Sequence, residues 1–244
     1  MKSLIKSVLS RTRYRISGSG ALNRFDATDE CLGRMRDQGF HPHRIIDGGA
    51  NVGTFALKVR RFFPDAKIEL IEPQPACQIE LEKLVSLPDF TLHQVALVSP
   101  AQSGMSVSLT TTPGEVNTGA HIEWDAGESS VKVPAATLDS LLDGRMRAHE
   151  RLLIKLDLQG YELEALAGAE AALLQTEVIL TEASFFAQAY EPPIAKLIGW
   201  LDERGFVLYD IAAVSARARD GRARQGDFIF VRRSSPLCAD SSWS

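Results

Sequence analysis

IIDGGANVGT, residues 45–54, is an apolar run followed by a glycine-rich turn and the start of a helix. The apolar run is typical of a buried strand. Phe55, Val59 and Phe62 are spaced to share one face, which predicts a helix over 54–63. In α/β sheets, ligands lie at the carboxyl ends of the strands, where a turn of this kind is found. The turn is therefore a predicted ligand site.

The residues of the turn suit this interpretation. Gly49 and Gly53 allow the backbone to approach a ligand and allow the helix to pack closely against the strand. Asn51 tolerates a left-handed backbone better than most residues. Asp47 ends the strand, where its carboxylate is expected to face a cationic or hydroxylated ligand.

Glu72 follows nineteen residues after Gly53, at the end of the second predicted strand. An acidic residue there is placed to accept hydrogen bonds from the two ribose hydroxyls of an adenosine. Pro73 and Pro75 stiffen the chain beyond it. A dinucleotide site requires G-x-G-x-x-G, and that pattern fails in both possible frames because Ala50 or Asn51 occupies the second glycine position. The D-x-G-x-N-x-G pattern of residues 47–53 suits a sulfonium cofactor better. The alternative is a glycine-rich turn with a structural role that binds no ligand.

The rest of the chain repeats the alternation of apolar runs and helical patterns, which is typical of a mostly parallel sheet covered on both faces. The tight connection between the last two strands predicts an antiparallel pair at the sheet edge. Strands are predicted at 44–47, 67–72, 90–96, 103–112, 131–135, 152–156, 178–181, 206–211 and 227–231, and helices at 54–63, 76–85, 162–174 and 194–204.

The 244 residues suit one sizeable α/β domain. We expect an N-terminal helical segment at 1–43, a main domain at 44–232 with an insertion at 103–135, and a loose tail at 233–244. The net charge of -4 gives no reason to expect nucleic acid as a partner. Three cysteines that lie far apart make neither a disulfide framework nor a zinc site, so we expect a cytoplasmic protein.

Residues 1–15 place five basic side chains around a short apolar stretch. The stretch is too short for the core of a secretory signal. It is interpreted either as a helix or frayed end, or as a basic amphipathic helix in weak contact with an anionic membrane surface, which would make the protein peripheral at the inner membrane face.

Four sequence blocks resemble the FkbM family of class I methyltransferases. They are IIDGGANVGTFAL at 45–57, IELIEPQP at 68–75, TLDSLL at 137–142 and LIKLDLQGYELE at 153–164. The resemblance implies a Rossmann-like three-layer α/β sandwich, with a seven-stranded, mostly parallel sheet and an antiparallel last strand. It also implies S-adenosyl-L-methionine as the cofactor, S-adenosyl-L-homocysteine as the product and methyl transfer to oxygen.

The same resemblance assigns the cofactor residues. Asp47, Gly49, Asn51 and Gly53 would line the methionine and ribose portion, Glu72 would bind the ribose hydroxyls, and the backbone of Val95 and Ala96 would border the adenine. Gly48, Ala50, Thr54 and Pro73 belong to the same two turns and complete the predicted cofactor site.

The fourth parallel strand carries the predicted chemistry. Lys155 and Asp157 share one side of it, as a site pair or as a structural ion pair. Both are taken as catalytic, with Asp157 as general base and His93 and His121 as rivals. A divalent cation on Asp157, Glu162 and Glu182 ranks lower, because Gln159 stands where the family usually has Glu, and no metal site is predicted.

Glu162, Glu182 and His121 are the candidate substrate-binding residues, and the insertion is the expected acceptor-recognition element. Trp124, Trp200 and Tyr190 are candidates for stacking on a sugar ring, although Trp200 lies in an apolar helical stripe that favours core packing. The resemblance implies a small molecule or glycan as the acceptor, with a sugar or glycolipid hydroxyl preferred over a polyketide or other natural product. A non-catalytic protein that binds the cofactor or a nucleotide is the alternative from another class.

Overall fold

A computed structural model of the chain describes residues 24–111, 114–123, 130–187, 193–240 and 242. The predicted amphipathic segment at 1–15, together with Trp124 and Tyr190, lies outside these residues. Within them, no helix has both the length and the apolar character needed to cross a membrane.

The structure alternates strands and helices in the predicted order. The strands are β1 (Arg44–Gly48), β2 (Lys67–Ile71), β3 (Phe90–His93), β4 (Ala96–Leu97), β5 (Ser106–Thr110), β6 (His121–Glu123), β7 (Ser130–Ala136), β8 (Leu152–Leu156), β9 (Thr176–Ser184), β10 (Phe206–Ala216) and β11 (Ala223–Arg232). The α-helices are α1 (Arg24–Asp37), α2 (Thr54–Arg60), α3 (Gln78–Val85), α4 (Leu138–Leu142), α5 (Glu162–Ala167), α6 (Glu170–Leu173) and α7 (Ile194–Glu203).

Seven strands form the central sheet in the order β3-β2-β1-β8-β9-β11-β10. Strand β11 runs antiparallel to both of its neighbours, and the remaining pairs are parallel. The expected seven-stranded sheet with an antiparallel last strand is therefore confirmed. The chain continues from β1 to one side and later returns to β1 on the other side through β8, so the sheet has a switch point between β1 and β8. A crevice at the carboxyl ends of the strands forms at such a point.

Helices cover both faces of this sheet. One apolar core contains Ile45 and Ile68 and is covered by residues of α1, α2 and α3. The other contains Ile46 and Ile154 and is covered by residues of α4, α5, α6 and α7. Neighbouring residues of a strand thus point into opposite cores, because side chains alternate across a strand. The result is the expected three-layer sandwich.

The strands of the insertion, together with β4 just before it, form a second sheet and do not extend the first. Its order is β4-β7-β5-β6, and β6 lies in a region expected to be a loop. The strand predicted at 90–96 is wrong in its second half, because β3 ends at His93 and residues 96–97 pair with β7. This sheet has its own apolar core around Val98 and Val133.

Two further predictions need correction. The helix expected over 162–174 is divided into α5 and α6 at Gly168, where a Cβ atom would lie 2.4 Å from the carbonyl oxygen of Val98. The tail is not loose where the structure describes it, because Pro236–Cys238 forms a 3-10 turn, Ser235 accepts a hydrogen bond from the amide of Leu237, and the side chain of Leu237 is buried.

Candidate active site

A cavity of about 610 Å³ opens at the carboxyl ends of the parallel strands, between the central sheet and the second sheet. It brings together most of the predicted site residues. Those that line it are Gly49, Ala50, Asn51, Thr54, Glu72, Pro73, Val95, Ala96, His121, Lys155, Asp157 and Glu182. Asp47, Gly48, Gly53 and Glu162 are not among the lining residues.

The glycine turn has the backbone that the sequence predicted. Asn51 adopts a left-handed conformation with φ of 48°, and Gly49 has φ of 73°. A Cβ atom on Gly49 would lie 2.1 Å from the carbonyl oxygen of Asp157. The glycine therefore lets β1 and β8 approach closely at the switch point. This close approach holds the glycine turn against Asp157, the residue predicted to be the base.

Glu72 is fixed by two backbone amides. Its Oε2 accepts a hydrogen bond from Asn51 N at 2.7 Å, and its Oε1 accepts one from Gln74 N at 3.0 Å. Burial raises the pKa of this carboxyl in spite of these donors. Each carboxylate oxygen has a second acceptor position, so the side chain can still receive ribose hydroxyls from the cavity.

Lys155 and Asp47 form a buried ion pair behind the turn. Lys155 Nζ lies 3.0 Å from Asp47 Oδ1 and donates to Gly49 O at 2.8 Å and to Gly48 O at 3.2 Å. Burial disfavours the ammonium charge, but the carboxylates of Asp47 and Asp157 outweigh burial and raise the pKa of Lys155. The expectation that Asp47 faces a ligand is wrong because its side chain is fully buried. Lys155 holds the glycine turn in place, so the geometry gives it a positioning role.

Glu162 is a structural clamp and not a cavity residue. Its Oε1 accepts from Leu158 N at 2.8 Å and its Oε2 from Gly160 N at 3.1 Å. The residue is only 3% exposed, and burial raises its pKa to about 8. The substrate-binding role expected for Glu162 is corrected on this geometry, since both of its carboxyl oxygens accept hydrogen bonds from the loop that carries Asp157.

We expect Glu162 to make stability fall with rising pH. The folded chain keeps this proton up to about pH 8, whereas an unshifted carboxyl releases it near 4.5, so its contribution is largest at low pH and is lost as pH rises between these values. Between about pH 6 and 8.5, the unfolding free energy of the native chain should fall by about 2 kcal/mol on account of this proton, and that of Glu162→Gln should not. Urea unfolding at both pH values measures this difference.

Glu164 is the matched control for this experiment, since it lies on the same helix and is half-exposed. The pH profile of Glu164→Gln should follow that of the native chain. A Glu162→Gln profile parallel to the native one would contradict the role of Glu162.

Asp157 belongs to a polar wall shared by three strand ends. Gln159 Nε2 donates to Asp157 Oδ1 and to Glu182 Oε2, both at 2.9 Å, and Gln225 Nε2 donates to Glu182 Oε1 at 2.6 Å. Gln159 makes this bridge from a left-handed backbone with φ of 53°. Two amides thus fix the directions of two carboxylates at the cavity surface.

The wall includes residues that were not predicted from the sequence. Gln225 and Asp227 line the cavity from β11, where Asp227 lies opposite Glu182. The predicted antiparallel pairing of the last strand was the signal that could have found them. It brings the start of that strand to the edge where the parallel strands end.

The rival residues occupy different places. His93 Nε2 lies 2.9 Å from Glu69 Oε2 and does not line the cavity, so it is not placed to act as a base there. His121 does line the cavity, and its Nδ1 is 3.0 Å from Gly119 O. Trp200 packs against the second core and lies under Arg204, whose guanidinium carbon is 3.5 Å from its ring centre, as expected for a packing role.

Part of the second sheet lines the cavity on the side opposite the central sheet. Residues 117–122 line it together with Leu109 of β5. Asn117 N donates to Gln74 Oε1 at 3.0 Å, which ties this segment to the turn after β2. In the described part of the chain, no three His, Cys, Asp or Glu side chains lie close enough together to hold a metal ion.

Comparisons with known proteins place this site in a family. The family model of the methyltransferase FkbM domain matches residues 47–208. A curated relative, methyltransferase sdnD of Sordaria araneosa, is 39% identical over 69 residues, which are 28% of this chain and 25% of that protein. The chain thus spans about a quarter of the length of this relative.

Solved structures of methyltransferases also align with the chain. Methyltransferase FkbM from Methylobacillus flagellatus KT aligns with a TM-score of 0.45 and 14% identity over 77% of this chain and 43% of that one. A precorrin-6y C5,15-methyltransferase from Geobacter metallireducens GS-15 aligns with a TM-score of 0.47 and 14% identity over 90% and 94% of the two chains. The family match covers more than half of this chain and includes the glycine turn, Glu72 and Asp157. The chain belongs to the FkbM methyltransferase family.

Proposed function

We propose that the chain is an S-adenosylmethionine-dependent O-methyltransferase that acts on a hydroxyl of a sugar or glycolipid. The observation that carries this proposal is the continuity of the cavity. One space is lined by the glycine turn and Glu72 on one side and by Asp157, Gln159 and Glu182 on the other. A methyl donor and an acceptor must meet in one space for an in-line transfer.

The residues of the first side fit this cofactor. The Glu72 carboxylate is held towards the cavity beside Asn51, as a ribose diol requires. Ile71, Val95 and Leu97 add an apolar surface suited to adenine. The turn offers no cradle of the dinucleotide type, because the second glycine of that pattern is absent. These residues therefore suit an adenosine without a pyrophosphate.

The second side fits the acceptor chemistry. S-adenosylmethionine supplies a methyl group that its sulfonium already activates. The chain has to hold the acceptor oxygen in line and take its proton. Asp157 Oδ1 is oriented by Gln159, so we assign the proton to this carboxylate. The carboxylate of Glu182 and the amides of Gln159 and Gln225 offer hydrogen-bonding groups of both kinds to a polyhydroxylated acceptor.

Binding of S-adenosylhomocysteine tests the cofactor assignment. It should raise the Tm of the native chain, whereas NAD should not. Glu72→Gln should weaken its binding by about 10- to 100-fold, because a charge-assisted ribose contact is lost and an amide nitrogen faces a backbone donor. Glu80→Gln, on the exposed side of α3, is the matched control and should bind as the native chain does. Stabilisation by NAD alone would overturn the proposal.

A panel of acceptors tests the substrate class. Purified chain, labelled S-adenosylmethionine and a set of glycans, glycolipids and polyketides should give labelled product with a sugar-containing member. Label on the natural-product members alone would transfer the proposal to that class of acceptor.

A further inference from the structure

The loop between β10 and β11, together with the first two residues of β11, carries a cluster of arginines that the cofactor and acceptor sites do not use. Residues 217–224, here called the arginine tip, read RARDGRAR and have a net charge of +3, in a chain whose net charge is -4. Arg219, Arg222 and Arg224 are exposed, and Asp220 pairs with Arg217. The charge of the tip is thus opposite in sign to that of the whole chain.

The arginine tip is an ordered turn. Arg217 N donates to Arg222 O and Gly221 N donates to Arg217 O, both at 2.9 Å, while Asp220 Oδ1 accepts from Arg222 N at 3.1 Å. The guanidinium carbons of Arg217 and Arg222 lie 5.4 and 4.8 Å from the centre of the Phe186 ring. Cation–π contacts of this kind hold guanidinium groups in place before a ligand arrives.

The position of the tip connects it with the acceptor side of the cavity. Gln225, the next residue after the tip, lines the cavity and bonds to Glu182. Phe185 N donates to Arg224 O at 2.9 Å, which joins the tip to the end of β9. The arginines therefore lie at the edge of the sheet that carries Glu182 and Gln225, the proposed acceptor side of the cavity.

Exposed apolar side chains accompany the arginines. Phe185, which follows β9, is 37% exposed, and Val214, near the end of β10, is 38% exposed. A basic surface with apolar side chains beside it fits the boundary between phospholipid headgroups and acyl chains, whereas a soluble phosphate would use the arginines alone. Guanidinium groups also match the geometry of phosphate oxygens in pairs.

We propose that the arginine tip docks on an anionic phospholipid surface, with the acceptor side of the cavity turned towards the headgroups. The surface contact stands on the tip itself. Only its consequence, that the acceptor is a lipid-linked sugar, rests on the proposed function.

Co-sedimentation with vesicles tests the docking surface on the full chain. The native chain should bind vesicles of equal parts phosphatidylglycerol and phosphatidylcholine and should not bind phosphatidylcholine alone. The triple variant Arg219→Ser, Arg222→Ser and Arg224→Ser should lower the partition by at least about 10-fold, since each arginine near an anionic surface adds to binding.

A matched variant makes the same change of net charge at the opposite end of the strands. Arg61, Arg147 and Arg233 are exposed and lie near the end of α2, the entry to β8 and the exit from β11. Their triple change to serine should leave the partition within about 2-fold of the native value, because only charges near the surface contribute. Equal loss in both triple variants, or no binding by the native chain, would overturn the proposal.

Two further measurements separate the possible failures. Calorimetry with inorganic pyrophosphate tests a soluble phosphate ligand, and pyrophosphate binding without vesicle binding would overturn the membrane contact. Affinity for S-adenosylhomocysteine is measured on the same preparations. Vesicle binding without cofactor binding would leave the docking surface intact and overturn the proposed function. Cofactor binding without vesicle binding would leave the proposed function intact and overturn the docking surface.

Discussion

Asp157→Asn should lower the rate of methyl transfer by about 100- to 10,000-fold, which is the usual range for loss of a general base. The amide oxygen of the introduced side chain can still accept from Gln159 Nε2, which lies 2.9 Å from Asp157 Oδ1 in the native chain. The polar wall should therefore keep its shape, while the proton acceptor is lost. The measurement is single-turnover methyl transfer on the acceptor identified from the panel.

The cofactor site provides the internal control for this variant. Affinity for S-adenosylhomocysteine should stay within about 2-fold of the native value, because an interaction made only with the reacting groups does not alter ground-state binding of the cofactor. His121→Gln removes the rival that also lines the cavity. Near-native turnover in Asp157→Asn together with a large loss in His121→Gln would move the base to His121.

The part of the site that the sequence predicted well is local in the chain. The turn from Gly49 to Asn51 and the acid at Glu72 follow from strand–turn–helix spacing, and the structure brings both to one cavity. Positive φ at Asn51 was also foreseeable, since few residues other than glycine tolerate it. Short-range backbone geometry encodes these features, so a single sequence is enough to find them.

Burial of charged groups was not foreseeable in the same way. Asp47 and Glu162 stand at strand and helix ends where a carboxylate usually meets solvent or ligand. The ammonium of Lys155 reaches Asp47 from a neighbouring strand, and Glu162 turns back onto the amides of Leu158 and Gly160. Whether a carboxylate faces a cavity or a backbone donor depends on these tertiary contacts, which strand alternation alone does not specify.

Gln159 shows the same limit in the opposite direction. In the sequence, Gln159 replaces the Glu that the family usually has, and the missing charge makes a metal site there less favoured. In the structure its amide joins Asp157 to Glu182, a residue 23 positions away on the next strand. The side chain makes this bridge from a residue whose backbone has a positive φ. The bridging role could be found only once the register of β8 and β9 was known.

Gly49→Ala should reduce the free energy of unfolding by about 3 kcal/mol or more and abolish binding of S-adenosylhomocysteine. The added Cβ would lie 2.1 Å from the backbone oxygen of Asp157, so both the turn and the end of β8 would have to move. Gly205 is the matched control, since its φ of 79° is close to the 73° of Gly49 and no atom lies within 4 Å of its added Cβ. Gly205→Ala should therefore show only the cost of positive φ, about 1 kcal/mol, with native cofactor affinity. Urea unfolding and calorimetry on both variants separate backbone strain from the close approach of the strands. Equal losses in the two variants would show that the Gly49–Asp157 contact does not hold the site together.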